Sequence, residues 1–223
     1  MKTIKIKLAL LTFIEFAVWG AYRTSLGSYL FNVGLKSNIG IFYAVQGIVS
    51  IFMPALIGII ADRWIQAQKT LSLSHLLAGI FMLAAGFYGM SAGDAPEFGI
   101  LFTLYSLSVA FFMPTIGLHN SVAYTALEKA GLDAIKHFPP IRVFGTVGFI
   151  VAMLFVNFTG YQNTYAQLIT SGVLSFVMVF YALLMPACPV NRSKKGGGFV
   201  EAFGLKAFAL FRQKQMAIFF IFS

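Results

Sequence analysis

A few polar side chains stand in apolar surroundings where each needs a reason. Glu15 lies inside the apolar run from Leu8 to Phe31. A carboxylate in hydrocarbon costs about 2.5–3.5 kcal/mol or more, so it must face a cavity, meet a cation or hold a proton. It reads either as a proton carrier or as a static polar contact between helices. Arg142 and Thr146 stand four residues apart, which places both on one face of a helix. A guanidinium with a hydroxyl one turn deeper could bind the oxygens of a polar solute. The competing reading is an edge arginine that snorkels, with Thr146 bonded to its own backbone. Gly58-x-x-x-Asp62-Arg63 closes another apolar run, with Lys69 just beyond. An aspartate at a helix end can bind amides of a neighbouring helix and pair with a base, a contact able to break and reform.

The remaining candidates are plainer. Arg23, two turns beyond Glu15, is expected to snorkel. His119-Asn120 follows Pro114 and reads as a cap or interhelical contact, although a histidine there could protonate near pH 6.5. His75 and His137 have no partner spacing that suggests a metal. Cys188 is the only cysteine, so a disulfide or thiolate cluster within the chain is excluded. No metal or cofactor motif is found.

The elements that carry these residues follow from composition. Of the 223 residues 59% are hydrophobic and 10% charged, against about 45–50% and about 25% in soluble domains. A soluble chain of this size could not hide so much apolar surface. The expected class is an all-α, polytopic membrane protein. Spans are placed at Leu8–Phe31, Ile39–Ala61, Leu71–Met90, Phe98–His119, Ile141–Phe158 and Tyr165–Pro186, each close to the ~20 residues that cross a bilayer as a helix. The runs are continuous and lack the period-two alternation of membrane strands. Pro139 and Pro140 suit the start of the fifth span, since the first turn of a helix has spare amides. Gly145 and Gly148 could let that span approach a neighbour closely.

Charge gives orientation. The net charge is +9, from 16 Lys and Arg against 7 Asp and Glu. With the amino terminus inside, thirteen of the sixteen bases fall in cytoplasmic segments, Lys36 alone falls outside, and Arg23 and Arg142 remain within or at the edge of spans. The bases lie between apolar runs and form no stripe with interleaved aromatics, so nucleic acid is not an expected partner. Lys2, Lys5 and Lys7 precede the first run, which continues through Trp19 with no cleavage site and reads as a retained span.

The chain divides as a six-helix bundle over 1–190, a basic cytoplasmic linker over 191–214 containing Lys194-Lys195-Gly196-Gly197-Gly198, and the opening of a seventh span over 215–223. Eight residues from Met216 to Ser223 cannot cross a bilayer, so the expectation is a piece of a longer protein.

Several collinear stretches carry a family resemblance. They are Trp19-Gly20 with Leu26-Gly27-Ser28-Tyr29, Phe52-Met53-Pro54-Ala55-Leu56 running into Ala61-Asp62, and Met113-Pro114-Thr115-Ile116-Gly117-Leu118. Phe138-Pro139-Pro140-Ile141-Arg142 with Gly145-Thr146 follows, then Ala207-Phe208-Ala209-Leu210-Phe211 running into Met216–Ser223. On these the chain resembles the bacterial nucleoside:proton symporters of the major facilitator superfamily. The resemblance implies a twelve-span carrier of two six-helix halves, of which this chain would be the amino-terminal bundle plus the start of the seventh helix. It implies proton-coupled nucleoside import across the inner membrane by alternating access around a central site.

Residue by residue, the resemblance makes Arg142 and Thr146 nucleoside contacts and Phe149 a lining residue. It makes Gly58, Asp62 and Arg63 part of an inner gate. Two departures stand out: Trp64-Ile65-Gln66 replaces the usual Gly-Arg-Arg continuation, and Glu15 occupies a position where a familiar member of the family has an uncharged amide. Glu15 is the candidate for proton coupling. With the carboxyl-terminal half missing, one wall of the cavity would exist, and the chain alone is expected neither to transport nor to bind nucleoside tightly. The alternative substrate is a sugar, since ribose resembles one to an Arg and Thr pair. An intramembrane serine protease is disfavoured because Ser171-Gly172 follows Ile169-Thr170 and lacks the leading glycine.

Overall fold

The computed structural model describes residues 2–190, apart from the side chains of Lys2 and Asp62. The linker and the seventh span expected over 191–223 lie outside the described residues. Among the described residues every regular element is helical: α1 (Lys2–Gly20), α2 (Leu26–Asn32), α3 (Ile39–Arg63), α4 (Ala67–Ala92), α5 (Phe98–Lys129), α6 (Ala134–Phe158) and α7 (Ala166–Leu183), with two short 3-10 turns between them.

Five helical segments are long and apolar enough to cross a membrane: Lys36–Ala61, Ala67–Ala92, Phe98–Lys129, Ala134–Phe158 and Ala166–Leu183. The first expected span, Leu8–Phe31, is instead two pieces. After Gly20 the ladder tightens, with the amides of both Tyr22 and Arg23 donating to the Trp19 carbonyl, and α2 restarts at Leu26. Lysines at its start and Glu15 inside make α1 less apolar than the other long helices.

Two boundaries differ from expectation for physical reasons. α5 runs 32 residues to Lys129 rather than stopping at His119, about 48 Å at the usual rise. His119 does not end the helix because its ring is fully buried and bonded to α1. α6 begins at Ala134, ahead of the two prolines, because Asp133 caps it by accepting from the Ile135 amide. Pro139 and Pro140 therefore sit inside α6, where each removes one ladder hydrogen bond.

α1 is the central strut and touches α5, α6 and α7, while α4 packs on α5 and α7, and α3 on α5. Glycines set the closest approach, between α1 and α6. A Cβ on Gly148 would stand 2.1 Å from the Phe13 carbonyl oxygen, and one on Gly20 would stand 2.4 Å from that of Phe149. Interhelical bonds from small hydroxyls to backbone add to this, including Ser72 to Val179, Ser108 to Ala78 and Ser171 to Val18. Outward-facing Ile51, Phe52, Phe158 and Phe180 are more than half exposed, as side chains that meet lipid tails should be.

Candidate functional site

α1 offers two different neighbourhoods on adjacent positions. Phe16 and Trp19 point to the side where α3 and α6 approach. The Arg142 guanidinium lies over the Phe16 ring, 3.9 Å from its centroid. Phe149, on the same helix as Arg142, meets Trp19 edge-on at 6.0 Å. The indole Nε1 of Trp19 donates to Gln46 Oε1 at 3.3 Å, and Gln46 in turn donates to the Tyr105 hydroxyl at 2.6 Å. Just past α1, in the turn that leads to α2, Arg23 covers Tyr43 at 4.8 Å and Trp19 at 5.9 Å. The result is a continuous aromatic face with a cation at each end.

Arg142 is half-buried and turned inward onto α1, unlike a side chain snorkelling to an interface. Among the described residues it has no carboxylate partner, while Glu15 is paired with His75. Thr146 is exposed, and its hydroxyl makes no hydrogen bond among the described residues. Thr103, Thr159 and Thr170, by contrast, each donate to the carbonyl four residues back. The Arg142 and Thr146 donors are thus free to meet a solute, and Trp19 and Phe149 supply planes on which a flat ring could stack.

The second neighbourhood is closed. Glu15 and His75 are both fully buried, with Oε2 of Glu15 2.9 Å from Nε2 of His75. Nδ1 of His75 is 3.0 Å from Ser175 Oγ, and Thr115 Oγ1 is 2.6 Å from Glu15 Oε1. Four helices (α1, α4, α5 and α7) meet in this cluster. Beside it, His119 Nε2 is 2.9 Å from Thr12 Oγ1, the interhelical contact expected of that histidine.

The sequence flagged Glu15 but missed His75 as its partner. The signal was available by elimination: Glu15, His75 and His119 are the ionisable groups deep in these helices, and each buried one must find a mate.

The gate motif lies elsewhere. Gly58, Asp62 and Arg63 occupy the last turns of α3, twelve to seventeen residues and about 18–26 Å along the helix from Gln46. Gly58 has open space where a Cβ would stand, and the Asp62 side chain is outside the described residues. Lys5 Nζ is 3.2 Å from His137 Nδ1 at the amino-terminal ends of α1 and α6. No group of three metal-ligating side chains occurs among the described residues. Cys188, beyond α7, is buried, and that burial pushes its thiol above its usual range, as befits an unreactive cysteine.

These features sit on a multi-pass helical bundle with a donor-bearing aromatic face, and comparison with known proteins gives its family. The nucleoside H+ symporter family matches over residues 1–223, and the chain belongs to it. It is 40% identical over 223 residues to the nucleoside permease NupG of Escherichia coli strain K12, covering 99% of this chain and 51% of that protein. The xanthosine permease of the same organism is also 40% identical, with 99% and 52% covered. The crystal structure of the nucleoside transporter NupG (D323A mutant) superposes with a TM-score of 0.86 at 37% identity, covering 98% of this chain and 53% of that one. The chain thus spans about half the length of the curated relatives it matches.

Proposed function

We propose that this chain forms the amino-terminal half of a proton-coupled nucleoside importer of the bacterial inner membrane. Its amino terminus would lie in the cytoplasm, as the distribution of lysine and arginine favours. A carboxyl-terminal bundle closes the other side of the cavity, and the halves rock about the substrate between them.

The observation that carries this reading is the Arg142 guanidinium turned onto Phe16, with Thr146 exposed on the same helix and unbonded among the described residues. Arg142 holds a ribose or base oxygen, Thr146 adds a hydrogen bond, and Phe149 with Trp19 stacks on the planar base. Gly58, Asp62 and Arg63 belong to the inner gate and stabilise the outward-open state. Glu15 is the proton-linked group on this half.

The test is uptake of one purine and one pyrimidine nucleoside into liposomes containing the full-length transporter. Accumulation should require an inward proton gradient and should resist competition by free sugars. Gradient-independent uptake refutes the coupling, and competition by sugars moves the substrate class to sugars.

A further inference from the structure

Proton counting at the closed cluster leads beyond that reading. The Thr115 hydroxyl carries one hydrogen and has two acceptors in reach, Glu15 Oε1 at 2.6 Å and the Phe112 carbonyl at 2.5 Å. It can serve only one of them. Ser175 can donate to Nδ1 of His75, which leaves His75 neutral with its hydrogen on Nε2, directed at Glu15 Oε2. If Thr115 then donates to Phe112, the short contact between Oγ1 and Oε1 needs a hydrogen from the carboxyl, and Glu15 is protonated. If Glu15 is ionised, the Thr115 hydroxyl turns to it and leaves the Phe112 carbonyl. The two states differ by one proton and one hydroxyl rotation, with every heavy atom in place.

Phe112 links this exchange to the open face. Its ring meets His75 edge-on at 5.9 Å and Trp19 at a tilt at 6.4 Å, so the residue whose carbonyl Thr115 can bond also lies against the cluster and the indole. Pro114, two residues on, removes a ladder bond from α5 and leaves the backbone there easier to adjust. The ionisable groups facing the cluster are His75 from α4, His119 from α5 through Thr12, and Arg142 from α6 across Phe16. α7 presents only Ser171 and Ser175.

We infer that Glu15, Thr115 and His75 form a proton-binding site inside this half, which takes one proton on Glu15 Oε1 and reports its occupancy to the nucleoside face through Phe112. This rests on the proton coupling proposed above and names the atoms that carry it. Infrared difference spectra of the intact protein in lipid nanodiscs, taken from about pH 8 to pH 5, test it without any transport. A protonated-carboxyl C=O band should grow as pH falls and be missing in Glu15→Gln. In Thr115→Val the band should shift to higher frequency, and Thr115→Ser should restore it.

Trp64→Phe, combined with replacement of every tryptophan in the carboxyl-terminal half, leaves Trp19 as the single indole of the intact protein, since this chain has two tryptophans. Trp19 emission should then titrate with the same midpoint and become flat when Glu15→Gln is added. A carboxyl band that is absent at every pH, or present and unchanged by pH, overturns the proposal. If Glu15→Gln fails to insert, an unshifted band in Thr115→Val overturns it equally. Loss of nucleoside uptake with the spectra intact would instead sink the transport reading.

Discussion

The closed cluster at Glu15 and the open face at Arg142 spring from neighbouring positions of one helix, turned about 100° apart. Around Glu15 the side chains of four helices use up one another's hydrogen bonds. Around Arg142 a guanidinium rests on a ring, and a threonine hydroxyl has no partner among the described residues. Polar groups in a membrane bundle are expensive in both settings, but they do different work. Those around Glu15 tie four helices together and also form the proposed proton site, whereas those around Arg142 are proposed to meet the ligand.

That contrast is open to attack from several directions, strongest first. Glu15→Ala strands His75 and Thr115 in the interior and should lower stability by about 3 kcal/mol or more, read as a fall in the thermal midpoint in detergent. Glu15→Gln, which keeps both contacts, should recover most of it. An alanine variant as stable as the parent would mean the closed cluster holds nothing together.

Arg142→Ala should do the opposite. The full-length transporter keeps its thermal midpoint and membrane insertion, while nucleoside uptake falls roughly 10- to 100-fold, matching about 1.5–3 kcal/mol for a hydrogen bond to a charged group. Arg142→Lys should rescue little, because an ammonium lacks the planar fork. A matching loss of stability would erase the distinction between the two regions.

Gly148→Ala asks whether both regions hang on one scaffold. Its methyl would collide with the Phe13 carbonyl, 2.1 Å away, so α6 must shift and stability should drop by about 1–3 kcal/mol, with uptake falling as well. Thr146→Val gives the smallest effect. Uptake should weaken by a few-fold, about 1 kcal/mol, with an unchanged melting curve.

How far the sequence reveals this architecture depends on the kind of information asked for. The apolar runs mark most spans because crossing hydrocarbon demands continuous length, and α3, α4 and α7 lie within a few residues of their expected limits. Ends that depend on tertiary contacts are harder to read. His119-Asn120 looks like a terminus until His119 is seen bonded to Thr12 on another helix. The twin prolines look like a start until the Asp133 cap is seen ahead of them. The cost of burying Glu15 is readable from its neighbours alone, whereas its pairing with His75 spans 60 residues and appears only once α1 and α4 stand together. The exposure of Thr146 is likewise a property of the assembled bundle.

The backbone contacts at Gly20 and Gly148 carry one last implication. Two helices pressed main chain to main chain cannot slide or roll against each other without a collision, so α1 and α6 should travel as a single plank. Arg142, Phe16, Trp19 and Phe149 would then hold constant separations throughout a transport cycle. Whatever bending the cycle requires must be found in other joints, and the ligand would feel this wall arrive and depart as one piece.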